Sequence, residues 1–242
     1  MKKVILVNGA SSDIGKEIVQ KFKKKDCILV LLGRNKNRIL NAVGTIRGID
    51  FIFETNYSEK SLKEIIGTIE NNIGKIDVLI NCIGIGIFKP TLKLTLEEYR
   101  NIFEVNFFYT ISVSMCVLKK MKLNNNGLII NIDSIASKKV FRKGSAYCAS
   151  KFALEAFFET LKEELKNTSI KICSIKLGLV NTKFFDKIKK NKYTKYLKEA
   201  IQPTDVSNIV EMIFQQSEFS NIVNVEMKPS KIIAKDLFHK LI

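Results

Sequence analysis

The sequence predicts an α/β chain built on a doubly wound parallel sheet, and three observations predict it. Short apolar, β-branched runs alternate with helical periodicity from Val4 to Val225, the pattern left by parallel strands joined through crossover helices. The first run ends in a glycine-containing turn that opens directly into a helix. No linker, repeat or low-complexity block interrupts the 242 residues, of which 46% are hydrophobic, so a single domain spanning 1–242 is expected. Right-handed crossovers then put helices on both faces of the sheet.

Val4-Ile5-Leu6-Val7 is the first strand. Asn8-Gly9-Ala10-Ser11-Ser12-Asp13-Ile14-Gly15 follows as the turn, and a periodic helix continues through Phe22. In such a unit the turn amides and the helix N-terminus face an anionic pyrophosphate, and small residues let it approach. Gly9 and Gly15 suit the tight turn and the helix–strand contact. Ser11 and Ser12 can donate hydroxyl hydrogen bonds to phosphate, and Ile14 lies where the helix opens; a purely structural turn is the alternative. The second strand, residues 28–32, leads into Gly33-Arg34. Dinucleotide folds often carry an acid at that point, against the adenosine ribose. Glycine there removes repulsion toward a 2′-phosphate, and the Arg34 guanidinium can pair with it. NADP (as NADPH) is therefore favoured over NAD, unless Arg34 is simply a surface residue of a Gly-Arg-Asn turn.

Glu54-Thr55-Asn56-Tyr57 ends the third strand. Val78-Leu79-Ile80 forms the fourth, followed by Asn81-Cys82-Ile83-Gly84. Thr95-Leu96-Glu97-Glu98 is a capping box for the helix that reaches Asn106, which by itself reads as a structural residue at a helix irregularity. After Asn124-Asn125-Asn126-Gly127, the strand at 128–132 delivers Asp133-Ser134 to its carboxyl end, the edge where open parallel sheets bind ligands. Ser134 can donate to a substrate carbonyl there, or serve ordinary turn chemistry. In Tyr147-Cys148-Ala149-Ser150-Lys151, a helix would set Tyr147 and Lys151 about one turn apart on a shared face. The ammonium then favours the phenolate and lowers the tyrosine pKa from roughly 10; an ordinary helix pair is the alternative. A strand at 170–176 precedes Leu177-Gly178-Leu179-Val180-Asn181-Thr182. The stretch 183–200 holds Lys183, Lys187, Lys189, Lys190, Lys192, Lys195 and Lys198 and forms either a substrate lid that attracts acidic groups or a solvated cationic face. A helix at 205–215, after Pro203, and a strand at 222–225 complete the order.

In these segments the chain resembles the short-chain dehydrogenase/reductase family over nearly its whole length. The family's cofactor turn reads TGxxxGIG, its sheet-bracing segment NNAG and its nicotinamide loop PGxVxT, and its active site joins Asn, Ser, Tyr and Lys. The resemblance implies a Rossmann-type fold and an NADP-dependent oxidoreductase that interconverts a carbonyl compound and an alcohol by hydride transfer. It implies that Ser134 and Tyr147 bind the substrate oxygen, with Tyr147 as general acid/base. Lys151 then holds the nicotinamide ribose and tunes Tyr147, while Asn106 positions a water. Asn81 and Gly84 brace the sheet and cofactor, Val180 and Thr182 bind the carboxamide, and Asn56 contacts the adenine.

Five positions depart from the family pattern: Asn8 replaces Thr, Asp13 replaces the middle glycine, Cys82 and Ile83 replace the Asn-Ala of NNAG, and Leu177 replaces Pro. A carboxylate at Asp13 would repel a pyrophosphate if aimed inward, whereas at a helix start it caps or faces solvent. Leu177 implies a less rigid loop. Reduction of 3-oxoacyl thioesters is the enzymatic alternative, although Val225-Glu226-Met227-Lys228-Pro229-Ser230 looks closer to members acting on small hydroxy acids and varied carbonyl compounds. A non-catalytic nucleotide sensor or scaffold is the alternative from another class. The resemblance also implies a homodimer or homotetramer built on helices around 107–121 and 146–165, where Ala153, Phe157, Phe158 and Leu161 offer apolar surface.

The formal charge of +16 arises from 40 Lys plus Arg against 24 Asp plus Glu. These residues are dispersed, and no zinc-finger or RNA-recognition signature accompanies them, so no specific nucleic-acid partner is expected. Cys27, Cys82, Cys116, Cys148 and Cys173 contain no CxxC pair and read as buried free thiols in a reducing cytoplasm. Met1-Lys2-Lys3 precedes an apolar run too short for a secretory signal. No uninterrupted apolar segment approaches the roughly 20 residues of a membrane span. With His239 as the single histidine, a His-rich metal site is excluded.

Overall fold

The computed structural model describes residues 2–44, 49–185, 197 and 199–230. Apart from Lys183, the lysines of the expected lid lie outside the described residues, as does His239. Seven strands form one parallel sheet in the order β3-β2-β1-β4-β5-β6-β7. They are β1 (Lys3–Asn8), β2 (Cys27–Gly33), β3 (Ile49–Glu54), β4 (Ile76–Asn81), β5 (Gly127–Ser134), β6 (Ile170–Leu177) and β7 (Asn224–Met227). The chain winds outward from β1 to β3, crosses back, and winds the other way from β4 to β7. The expected doubly wound sheet is therefore present, and its last strand begins two residues later than the sequence suggested.

Hydrophobic side chains alternate along the strands and feed two separate cores. One face carries Ile5, Val7, Leu29, Leu31, Ile80, Ile130 and Ile175 against helices α1 (Asp13–Phe22), α2 (Lys36–Val43) and α7 (Pro203–Phe214). The other carries Leu6, Val30, Leu32, Leu79, Ile129 and Ile172 against α3 (Glu59–Asn72), α5 (Thr110–Asn124) and α6 (Ser145–Glu164). Burial on both faces explains why the strands read as continuous apolar runs. The helices start where local chemistry supplies a partner for their first amides. Ser12, Asn35 and Ser58 cap α1, α2 and α3, and Thr95 with Glu98 forms the expected capping box of α4 (Leu96–Phe103).

Helix α4 runs into α5 through a π-helical segment, Glu104–Tyr109, so the irregularity expected near Asn106 is present. The combined helix, Leu96–Asn124, is long and apolar enough to cross a bilayer by length and composition. Its Val113, Val117 and Met121 are instead buried against the sheet, and this packing accounts for its apolarity. On α6, Phe158 and Leu161 face the core rather than a neighbouring subunit. The large apolar residues exposed along these helices are Leu96, Phe108, Met115, Leu123 and Phe152.

At the centre, the carboxyl ends of β1 and β4 are adjacent and in register, Asn8 opposite Asn81. Asn8 Nδ2 donates to Asn81 Oδ1 at 3.0 Å, Asn81 Nδ2 donates to Ser114 Oγ at 3.0 Å, and Tyr109 Oη donates to Asn8 Oδ1 at 3.0 Å. All four residues are buried, so each bond replaces one that water cannot supply. Asn8→Ala would leave Asn81 Oδ1 without its donor and take from the Tyr109 hydroxyl its acceptor on β1, and is expected to lower folding stability by about 2–4 kcal/mol. Urea denaturation of the variant checks this; a loss as small as that of an exposed substitution would remove the chain of hydrogen bonds from the account.

Candidate active site

The site begins at the turn between β1 and α1. Gly9 adopts φ +86°, and a Cβ there would lie 2.9 Å from the carbonyl carbon and oxygen of Cys82. A Cβ on Gly15 would meet Gly9 O at 2.4 Å. Both positions need glycine for the turn to close against the sheet and the helix. Ser12 was expected to offer its hydroxyl to phosphate, but the hydroxyl is already engaged. It accepts from Gly15 N at 3.0 Å as the N-cap, and donates toward Gly9 O at 2.9 Å and Cys82 O at 3.3 Å. Its amide donates to Gly9 O as well. The remaining donors of the first turn are the amides of Asp13 and Ile14, which lie too early in the helix to have an intrahelical acceptor. Asp13 Oδ2 accepts from Lys183 N at 2.7 Å, tying the start of α1 to the chain beyond β6. The carboxylate neither caps the helix nor faces solvent unpaired.

At the end of β2, a Cβ on Gly33 would approach Ile39 Cδ1 to 3.1 Å, so glycine admits α2 close to the strand. Arg34 is exposed, with its guanidinium carbon 5.4 Å from the ring centroid of Tyr57. Tyr57 in turn packs on Tyr109 with ring centroids 3.8 Å apart, which links the arginine to the hydrogen bonds at the centre of the sheet. Arg38 lines the cavity and was not singled out from the sequence. Its spacing of four from Arg34, on the first turn of α2, is the signal that could have found it. Asn56 is exposed, its Oδ1 accepts from Ser58 N at 3.0 Å, and it is not part of the cavity wall.

A cavity of ≈ 330 Å³ runs along the carboxyl ends of the strands, within the range of small-molecule sites. Ser11, Ser12, Ile14, Gly84, Ser134, Tyr147, Lys151, Val180 and Thr182 all line it. Asn81 and Asn106 stand behind this wall. Asn106 is buried, and both of its amide donors are occupied, by Ile85 O and Ser150 Oγ at 3.0 Å each, while its Oδ1 accepts from Ile85 N at 2.8 Å. The side chain thus fastens the loop after β4 to α6, and holding a water through its donors would require breaking one of these bonds. Ser134 Oγ accepts from Ala136 N at 3.1 Å, leaving its proton to donate, and the hydroxyl lies within hydrogen-bonding reach of Tyr147.

Tyr147 and Lys151 lie on α6 as expected, but the phenol's pKa is raised rather than lowered. Burial is the largest cause; Lys151 and the Ser134 hydrogen bond pull it down, and Asp133 pushes it up. Spacing alone showed the ammonium but not the desolvation that outweighs it. Three phenyl rings surround the tyrosine, with centroids 5.4 Å (Phe88), 5.7 Å (Phe184) and 6.3 Å (Phe141) away. These rings come from three separate segments, so no sequence spacing announces them.

On the far side, Leu177 completes β6, and Gly178 N donates to Met227 O at 2.8 Å. Val180 forms a parallel bridge with Ile201, and Asn181 Nδ2 donates to Gln202 Oε1 at 2.9 Å. Without the proline, the loop is held by these bonds. A larger concavity of ≈ 960 Å³ opens at the opposite edge of the sheet among residues such as Lys3, Asp77, Asn125 and Lys171, and the Ser134, Tyr147 and Lys151 side chains are not in it.

Residues 3–193 match the short chain dehydrogenase family model. The chain is 28% identical over 232 residues to an uncharacterised oxidoreductase of Staphylococcus saprophyticus, covering 94% of this chain and 97% of that protein. Serine dehydrogenase in complex with NADP+ superposes with a TM-score of 0.86 at 25% identity, covering 93% of this chain and 94% of that one. Actinorhodin polyketide ketoreductase with NADPH, at 22% identity and TM-score 0.85 over 94% and 96% of the two chains, shares the fold. With the match spanning most of its length, the chain belongs to the short-chain dehydrogenase family of oxidoreductases.

Proposed function

We propose that the protein is an NADP(H)-dependent oxidoreductase that interconverts a carbonyl compound and an alcohol, with Tyr147 as the general acid/base. The observation that carries the reading is the convergence of Ser134, Tyr147 and Lys151 on one cavity that begins at the Gly9–Gly15 cradle. The cradle fits a dinucleotide: glycine at both positions lets the turn close against the sheet and the helix, and the first-turn amides of α1 attract a pyrophosphate. The Asp13 and Ile14 amides with Ser11 would hold that group, Arg34 and Arg38 would pair with the 2′-phosphate, and Val180 and Thr182 would meet the carboxamide. The NADP+ bound in the related serine dehydrogenase supports this choice. When bound, the reduced nicotinamide supplies the hydride.

The chain's own residues do the rest. Ser134 and Tyr147 donate hydrogen bonds to the substrate oxygen, which concentrates negative charge there as the carbonyl is reduced. Tyr147 Oη transfers its proton to that oxygen, and the Lys151 ammonium stabilises the phenolate left behind. In the reverse direction the phenolate is the base. Asn106 keeps the loop after β4 pressed against α6, so the tyrosine and lysine keep their places.

Phe88, Phe141 and Phe184 favour a ketone or aldehyde bearing an apolar substituent, since ring edges and faces reward such groups beyond area burial alone. Free cysteines suit a reducing cytoplasm, and the exposed Phe108, Met115 and Phe152 suit a homodimer or homotetramer.

The test follows NADPH consumption with aryl ketones, small aldehydes, β-keto esters and 3-oxoacyl thioesters. Turnover is expected to be best with an apolar substituent beside the carbonyl. Selective use of thioesters would move the substrate to acyl groups, and tight NADPH binding without turnover would favour a sensor. Tyr147→Phe is expected to lower kcat by about 10²–10⁴-fold while NADPH titration by fluorescence stays near the wild-type curve. Arg34→Ala and Arg38→Ala are each expected to weaken NADPH binding by about tenfold, the size of one lost charge-assisted hydrogen bond. NADH binding should be unaffected in both; equal losses for the two nucleotides would place these arginines elsewhere.

A further inference from the structure

The charge of Lys151 is shared between two neighbours from different elements. One is Tyr147, a turn earlier on α6. The other is Asp133, next to Ser134 at the carboxyl end of β5. Asp133 Oδ1 lies 3.4 Å from Lys151 Nζ, with the carboxylate side chain 0% and the lysine side chain 4% exposed. Neither carboxylate oxygen of Asp133 accepts a hydrogen bond from a described residue. A buried carboxylate without donors calls for an adjacent cation. Lys176, its cross-strand neighbour on β6, is already matched, with Nζ 2.7 Å from Glu155 Oε1 and 2.5 Å from Asn224 Oδ1. Among the described residues, Lys151 is the cation paired with Asp133.

We propose that Asp133 is a positioning residue that divides the charge of Lys151. By drawing the ammonium to its own carboxylate, it withholds positive field from Tyr147 and keeps the phenol protonated, which sets the site for carbonyl reduction over alcohol oxidation. The inference deepens the oxidoreductase reading and rests on it.

The remaining groups around the pair leave this role to Asp133. Asn106 and Gly84 face it from the π segment and the loop after β4 without charge; a Cβ on Gly84 would sit 3.6 Å from Asn106 Oδ1 and 4.0 Å from Lys151 Nζ. Burial raises the thiols of Cys82, after β4, and Cys148, on α6, so neither carries charge near neutrality. Asp13 and Lys183 stand elsewhere on the cavity wall, bound to each other through the Lys183 amide. Asp133 is thus the anion facing this lysine, and it opposes the downward pull of Lys151 on the phenol.

The sign follows directly. Removing the carboxylate removes a negative charge that disfavours phenolate and releases the full field of Lys151, so the Tyr147 pKa falls and phenolate forms at lower pH. Phenolate absorbance in the near ultraviolet reads this without substrate or nucleotide, with the Tyr147 signal isolated by subtracting the matching Tyr147→Phe protein. At about pH 10, Asp133→Asn and Asp133→Ser are each expected to raise the Tyr147 phenolate fraction by about tenfold, one pH unit. Circular dichroism identifies the folded variant, and the smaller serine serves where asparagine disrupts the core. A merely structural role would lower the melting temperature and leave the phenolate fraction where it was. An unchanged or smaller fraction in a folded variant would overturn the proposal. Failure of NADPH turnover would defeat the oxidoreductase reading instead, through a separate measurement.

Discussion

The site depends on the side-by-side placement of β1 and β4 at the centre of the sheet. Because the chain winds away from this pair in both directions, the connections after their carboxyl ends diverge and leave a crevice. A crevice between two strands is only as fixed as their register. Here the Asn8–Asn81 hydrogen bond holds that register at the last residue of each strand, with Tyr109 and Ser114 bonding from the helix behind. Three parts of the site are referenced to this point: the glycine turn leaves from Asn8, the loop carrying Gly84 leaves from Asn81, and Tyr57 and Arg34 reach it through Tyr109.

Three departures from the family's sequence pattern fit this scaffold. Asparagine in place of threonine at the end of β1 gains a partner across the strand gap. Asp13 in place of glycine holds the Lys183 amide, and Leu177 in place of proline continues β6 beside β7. The first two changes each add a hydrogen bond to the scaffold around the cavity. They therefore give little reason to regard the protein as a degraded binding module, even though each looks like erosion when read as a mismatch to a motif.

Much of this was legible in the sequence, for a physical reason. Strands buried on both faces must be apolar throughout, and helix starts must supply acceptors or donors for their first turn, so β1, β5 and the Thr95 capping box announce themselves locally. Tyr147 and Lys151 share a helix face by spacing alone. What stayed hidden depends on groups meeting from distant segments. Ser12 has a hydroxyl suited to phosphate, but the sequence does not show that the helix claims it first. Phe88, Phe141 and Phe184 lie far apart in the chain and meet only around Tyr147. Arg38 carried a weak signal in its spacing from Arg34, and Asp133 carried none beyond its place before Ser134.

The tyrosine's position exposes a conflict that the fold resolves by arrangement. In the proposed reaction, excluding water from Tyr147 would strengthen its hydrogen bond to a substrate oxygen, yet the same exclusion penalises the phenolate that would form when the proton leaves. A lysine beside it relieves that penalty. Asp133 supplies the counter-ion from the adjacent strand, at the expense of part of the field that Lys151 would otherwise direct at the phenol. Three groups from two elements therefore share one ionisation problem. The resting balance favours a neutral phenol, the form in which a tyrosine gives up a proton rather than takes one.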